Sequence, residues 1–252
     1  MARCVLWDPA QVEEVRNSIK VVSGQGIKSK ACAGLEGCDQ ARAKRLFNVM
    51  NFARFFLADI LPDLDRVIWM DCDVIMLKPM DDVWRASMRN PHTLVSAFVE
   101  PVRFGRFYIH PEEMVRLMDQ HFTSHLDLEG DSFNDGVIVI NLARWRESEA
   151  GPGLMWLLEQ HRKADPGLWK YGTQPIMMLL GNAFGWNQLE GKSYYGDLGF
   201  EEAEEARLHD AVFLHFDGEK KPWKNDGINK GLWQPFMEQD LRKLKKMVKK
   251  HL

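Results

Sequence analysis

The chain has 252 residues, 45% hydrophobic and 11% aromatic, with 33 Lys and Arg against 36 Asp and Glu. That content excludes a disordered tail, and 19 Gly with 11 Pro exclude a collagenous or low-complexity chain. The net charge of −3 hides an asymmetry, since without the six Lys and Arg of residues 241–252 it falls to −9. So acidic a body speaks against nucleic acid as a partner, because phosphate contacts need clustered cations.

Cys4–Trp7 reads as a short strand and Pro9–Ile19 as a helix with Val12, Val15 and Ile19 on one face. A Gly-, Lys- and Ser-rich loop is expected over 23–39. Residues 40–60 form the strongest helical segment, with Leu46, Val49, Met50, Phe52, Phe56, Leu57 and Ile60 in a broad stripe and Pro62 just beyond. RVIWM (66–70) is a compact strand running into Asp71-Cys72-Asp73 and then VIML. Further strands are predicted at 93–99, 136–141 and 211–216, and helices near 111–125, 154–162 and 233–250. Over the basic tail 241–252, Leu241, Leu244, Val248 and Leu252 make an apolar stripe on a basic, solvated helix. This alternation predicts an α/β layered domain with a largely parallel sheet. No repeat or linker divides the sequence, so one domain over 1–252 is expected, with 233–252 as its basic amphipathic end.

No apolar run reaches the roughly 18 residues of a membrane-spanning helix, and the first residues lack a secretory leader's apolar stretch. Four cysteines without a C-x-x-C pair indicate neither a zinc site nor a disulfide framework.

Asp71 and Asp73 stand at i and i+2 after an apolar strand, which in extended backbone puts both carboxylates on one side, suited to sharing one hard cation. The spacing alone is unspecific: Asp63-Leu64-Asp65 has it too, where turn chemistry after Pro62 explains it. The strand context separates them, because the carboxyl ends of strands are where open α/β sheets place ligands. In VFLHFDGEKKPW, a strand delivers His215, followed by Gly218, Lys220, Lys221, Pro222 and Trp223. An imidazole for a borderline metal, a glycine that lets backbone approach an anion and lysines that neutralise phosphate together describe a divalent cation bridging a diphosphate. Asn51 and Arg54 lie on the helix before the acidic strand, where Arg54 could equally snorkel along an apolar face. Asn134, Asp135 and Gly136 open another strand and would otherwise read as an ordinary turn.

These segments, from about residue 40 to 223 and in this order, resemble glycosyltransferase family 8, retaining nucleotide-sugar transferases of GT-A fold. MNFARFFLADILPDLDRVIWMDCDVIML resembles the family's Arg-bearing helix and Asp-x-Asp strand, FNDGVIVINL its Phe-Asn-x-Gly-Val strand, and HFDGEKKPW its closing His-x-x-Gly-x-x-Lys-Pro-Trp motif. LWKYGTQPIMMLL is similar to the plant galacturonosyltransferase and galacturonosyltransferase-like branch. The resemblance implies a Rossmann-like GT-A domain that moves a hexosyl or hexuronosyl group from a UDP-sugar to a carbohydrate acceptor. Asp71, Asp73 and His215 would ligate Mn2+, or Mg2+ in its place, as a Lewis acid on the leaving diphosphate. Gly218 and Lys221 would contact the diphosphate, with Asn51, Arg54 and Asn134 binding the donor. Gln174 and Asp135 are the implied catalytic residues; Gln174 is a poor nucleophile, which favours attack from the leaving-group side with a phosphate oxygen as base.

Relative to the family, the chain opens at the second strand with CVLWDPAQVEEV, so the first strand and its base-binding loop are expected to be missing. Thr173 stands where many bacterial relatives carry an acidic residue. The resemblance implies a Golgi or secretory lumen if an anchor precedes this sequence, and the cytoplasm otherwise. Donors from glucose to galacturonate fit equally, and neither the acceptor nor the oligomeric state is set. Two alternatives compete. One is an inactive relative that binds a sugar, a nucleotide or a partner subunit. The other is a haloacid-dehalogenase-type phosphatase built on Asp71-x-Asp73 and Gly130-Asp131-x-x-x-Asp135, but that needs Thr or Val at position 75, which is Ile75, and a Lys between the acidic motifs, where after Lys78 none appears until Lys163.

Overall fold

The computed structural model describes residues 49–110, 112–113, 126–165, 167–170 and 172–237. The predicted elements at 4–7, 9–19 and 23–39, most of the helix at 111–125 and the basic end beyond 237 lie outside them. Among the described residues the strands are β1 (Arg66–Met70), β2 (Val74–Met76), β3 (Val95–Arg103), β4 (Asp131–Asn141), β5 (Trp186–Gln188), β6 (Tyr194–Tyr195) and β7 (Phe213–His215). Residues 49–69 and 87–188 form one compact unit, and 70–86 with 189–237 a second. The chain passes from the first to the second at 69/70, returns at 86/87 and leaves again at 188/189, so no single linker separates them.

The first unit holds a four-stranded sheet in the order β1-β4-β3-β5. β4 is inside it and buried at every position from Ser132 to Asn141, which is why GVIVI reads as a continuous apolar run. β3 pairs antiparallel with β4 and parallel with β5, so the sheet is mixed and not largely parallel as expected. Neighbouring antiparallel strands need no parallel crossover between them, so alternating strands and helices do not by themselves make a parallel sheet. The strand over 136–141 also begins five residues early, at Asp131. Where a turn was the alternative, the β3–β4 register jumps from Ala97↔Ile138 to Phe98↔Asn134, leaving Asp135, Gly136 and Val137 in an irregular bulge.

Helices complete this unit. α1 (Val49–Phe52) tightens into a 3-10 turn at Ala53–Phe56 and resumes as α2 (Leu57–Ile60), so the helix expected over 40–60 is interrupted in its described half. Further on come α3 (Asp81–Ser87), which falls mainly in the second unit, α4 (Phe104–Tyr108), α5 (Leu142–Glu147), α6 (Ala150–Lys163), α7 (Gln174–Phe184) and α8 (Glu205–Leu208) of the second unit. α6 extends the predicted 154–162 helix by a turn. α7 is buried from Pro175 to Gly181, with Pro in its first turn and Gly185 (φ 95°) at its C-cap. Its packing with β3, β4 and α6 builds the main core around Phe52, Phe55, Phe133, Ile140 and Leu179.

The second unit has a three-stranded sheet, β2-β7-β6, with β7 antiparallel to β2 and parallel to β6. Ile75, Leu214 and Tyr195 face a separate small core with Leu198, Ala211 and Phe216. Residues 230–237 begin the predicted C-terminal helix. No helix among the described residues is long and apolar enough to cross a membrane.

Candidate functional site

In the second unit, the turn after β1 is held against the end of β7. Val74 pairs with His215, and Phe216 N donates to Asp73 O at 2.9 Å. Asp71 to Asp73 are therefore a turn between β1 and β2, not the extended segment expected, closed by Val74 N donating to Asp71 O at 3.2 Å. The turn nonetheless gathers the carboxylates: ligand atoms of Asp71, Asp73 and His215 all lie within 4.8 Å of one another. Asp73 Oδ1 is 3.2 Å from His215 Nε2, and Asp73 Oδ2 accepts from Lys221 Nζ. Lys221 Nζ also donates to Phe216 O at 2.7 Å and lies 5.9 Å from the Trp223 ring centre. By contrast, Asp63 and Asp65 are exposed on a turn, as expected.

The loop after β7 needs its glycine. Gly218 has φ +105°, and a Cβ there would fall 2.6 Å from the Gly199 carbonyl carbon. Gly199 N donates to Asp217 O at 2.7 Å and Lys220 N to Gly199 O at 2.9 Å, which pins residues 217–220 to the 197–200 turn and sets the start of Lys221's reach.

Two carboxylates and an imidazole are a donor set that fits a divalent cation such as Mn2+ or Mg2+. Their electrostatics agree. Burial works against the Asp73 charge, but bonds to His215 and Lys221 outweigh it and hold the carboxyl well below its ordinary range. Burial would pull His215 down, but Asp217, Asp73 and Asp71 prevail and raise it above its ordinary value. Asp217 is pushed up by burial, with Asp197 adding to the effect. Cys72 between the two acids is also pushed up, by partial burial and then by Asp73 and Asp71, so it stays a thiol at neutral pH and adds no charge to the donor set. A cation must displace the proton that His215 holds. Below the raised pKa of His215, Mn2+ affinity is expected to rise about tenfold per pH unit and to flatten above it; calorimetry across pH 5.5–8.5 in two buffers of different protonation enthalpy would read the one proton released.

The first unit carries a second polar cluster. Arg54, 2% exposed, donates through Nη1 to Asp135 O at 2.7 Å, pairs with Asp135 Oδ2 at 2.6 Å and donates through Nε to Asn51 O at 3.1 Å. Its guanidinium carbon lies 4.7 Å over the Trp69 ring. Arg54 thus does not snorkel, and its bond to Asn51 O accompanies the 3-10 tightening at 53–56. Thr173 Oγ1 donates to Asp135 Oδ2 at 3.4 Å. Asn134 Oδ1 accepts from Gly136 N at 2.8 Å and shapes the bulge that aims Asp135 at Arg54. Gln174, at the start of α7, donates through Nε2 to Glu100 Oε2 at 2.9 Å, Tyr108 Oη at 2.6 Å and Phe133 O at 3.0 Å, while Tyr108 Oη donates to Glu100 Oε2 at 2.5 Å. The nitrogen end of the amide is committed to protein acceptors, which makes its carbonyl end the part suited to a ligand.

The predicted residues therefore assemble as two sets: Asp71, Asp73, His215, Gly218 and Lys221 in the second unit, and Asn51, Arg54, Asn134, Asp135 and Gln174 in the first. Glu100, Tyr108, Trp69, Tyr194 and Asp217, which the motifs do not predict, join them. Tyr108 is 66 positions from Gln174 and Tyr194 is 21 from His215, in segments with no motif of their own.

The sequence model of glycosyl transferase family 8 matches residues 9–227. The chain belongs to glycosyl transferase family 8. Among its relatives are probable galacturonosyltransferase 10 of Arabidopsis thaliana, 26% identical over 79% of this chain and 37% of that protein, and probable galacturonosyltransferase-like 9 of the same plant, 28% identical over 76% of this chain and 50% of that protein. The motifs and these relatives place the chain with the plant galacturonosyltransferase branch, and it spans half or less of their length. Mouse xyloside xylosyltransferase 1 shares the fold at a TM-score of 0.50 and 14% identity, covering 82% of this chain and 73% of that one. The bifunctional glycosyltransferase WbbM does so at 0.50 and 17%, covering 71% of this chain and 33% of that one. The fold is GT-A, as the resemblance implied, and the phosphatase alternative falls away: the family model runs through both acidic motifs.

Proposed function

We propose that the chain supplies the donor-binding and catalytic part of a Mn2+-dependent retaining glycosyltransferase, which moves a hexosyl or hexuronosyl group from a UDP-sugar to a carbohydrate acceptor. The observation that carries this reading is the Asp71, Asp73 and His215 donor set with Lys221 bonded to its central carboxylate. Asp71, Asp73 and His215 hold the cation, whose chemistry is Lewis-acid stabilisation of the leaving diphosphate. Lys221, on the loop turned by Gly218, adds a positive charge for the same phosphates. Arg54, Asn51 and Asn134 serve the donor sugar. Gln174, its amide nitrogen fixed by Glu100 and Tyr108, offers a carbonyl oxygen to the electron-deficient anomeric carbon, and Asp135 is held in place by its pair with Arg54.

The test is UDP release from UDP-galacturonate, UDP-glucose, UDP-galactose and UDP-xylose by the purified chain with Mn2+, against the same mixtures with EDTA. Metal-dependent release from one of them is expected; no release from any, by demonstrably folded protein, counts against the reading. A narrower prediction concerns Lys221→Ala. It is expected to weaken UDP by about tenfold or more, the worth of one charge-assisted contact to phosphate, and free sugar hardly at all. Equal losses in calorimetric titrations would remove Lys221 from the diphosphate.

A further inference from the structure

His215 is held from two sides, and only one side faces the other donors. β7 is the middle strand, so His215 has β2 and the Asp73 turn on one flank and β6 on the other. β6 pairs in parallel with β7 so that Tyr194 meets Phe213 and Tyr195 meets Leu214. Because side chains alternate along a strand, Tyr194, Phe213 and His215 share one face, while Tyr195 and Leu214 turn to the small core behind. The Tyr194 hydroxyl lies 2.5 Å from His215 Nδ1, with the rings edge to face at 5.9 Å. The sheet thus sets carboxylate, imidazole and phenol in a row.

We propose that Tyr194 is a positioning residue for His215, fixing which ring nitrogen is offered to a cation. The proposal rests on the metal reading above. When Nε2 gives its lone pair to a cation, the ring's remaining proton sits on Nδ1, and a buried Nδ1–H requires an acceptor. The Tyr194 oxygen is that acceptor, and the same hydroxyl can donate to Nδ1 when Nε2 carries the proton instead. Phenylalanine can do neither. A second feature points to the same place. A Cβ on Gly196 would lie 2.9 Å from Tyr194 Cε1 and 3.1 Å from its hydroxyl oxygen, so the glycine leaves room for the ring in this orientation. Gly196 is not in the left-handed region, so alanine brings no such backbone strain, and the three atoms nearest its added Cβ all belong to the Tyr194 side chain.

The experiment titrates Mn2+ alone into the unaltered chain and into Tyr194→Phe, Gly196→Ala and Tyr195→Phe, followed by pulsed EPR of each complex. Tyr194→Phe is expected to lower affinity by about 10- to 100-fold, the usual effect of removing a ligand's supporting partner, and Gly196→Ala to lower it in the same direction. Tyr195→Phe, whose hydroxyl accepts from Glu204 N at 2.7 Å on the other face, is expected to leave affinity unchanged. The hyperfine coupling of a directly bound imidazole nitrogen should be clear in the unaltered complex and weakened in Tyr194→Phe. Lower affinity with the nitrogen coupling unaltered would make Tyr194 merely structural and overturn the proposal, as would affinity equal to the unaltered chain. No Mn2+ binding by the unaltered chain would instead overturn the metal reading on which the proposal rests.

Discussion

Asp73→Asn is expected to abolish measurable Mn2+ binding, a loss of more than about a hundredfold, beyond what removal of a supporting partner costs. Asp73 is a donor with His215 and Lys221 both bonded to its carboxylate. Asparagine keeps the shape but removes the charge. It leaves the His215 imidazole and the Lys221 ammonium facing a neutral amide, so a cation arriving there finds Asp71 as the one carboxylate of the donor set, with Lys221 to repel it. The fold should survive, because Asp73 is outside both cores and the backbone bond from Phe216 N to Asp73 O is untouched. Circular dichroism would check that survival, and calorimetry the binding. Mn2+ affinity equal to that of the unaltered chain would remove Asp73 from the metal.

The second large effect is on stability. Arg54→Met removes a guanidinium that is almost wholly buried, and with it the charge beside Asp135 and the donor to Asp135 O. Methionine refills much of the volume but leaves the Asp135 carboxylate, itself largely buried, without its cation. Losing one partner of a buried pair costs about 3–5 kcal/mol, whereas neutralising both costs less. Urea denaturation should therefore show a large loss for Arg54→Met and a smaller one for Arg54→Met with Asp135→Asn. A loss below about 1 kcal/mol for Arg54→Met, the level of an exposed pair, would mean that the pair does not organise the bulge.

Much of the second unit's site was legible because its residues lie in short motifs. Asp71 and Asp73 follow an apolar strand, and His215, Gly218 and Lys221 fall within seven positions after another. What their spacing could not supply was the backbone: the acids sit on a turn, and pairing with β7 gathers them. In the first unit the motif residues were legible but their partners were not. Arg54 meets Asp135 across 81 positions, and Gln174 meets Glu100 across 74, through pairings that local periodicity does not encode. The strand direction failed for a similar reason. Alternation of strands and helices suggests parallel crossovers, but β3 and β4 pair antiparallel although α4 lies between them, and the two-residue β6 is too short to leave a periodic signal. By sequence the Phe-Asn-Asp-Gly segment is the entry to a strand, and the structure carries the strand through it as a bulge.

The most direct measurement is calorimetric titration of UDP into the purified chain, first with Mn2+ and then with EDTA. Binding that requires Mn2+ is expected, since the cation on Asp71, Asp73 and His215 would join the diphosphate to an otherwise acidic cluster. UDP binding of equal strength in EDTA, or none in either condition from folded protein, would contradict a metal-bridged diphosphate site.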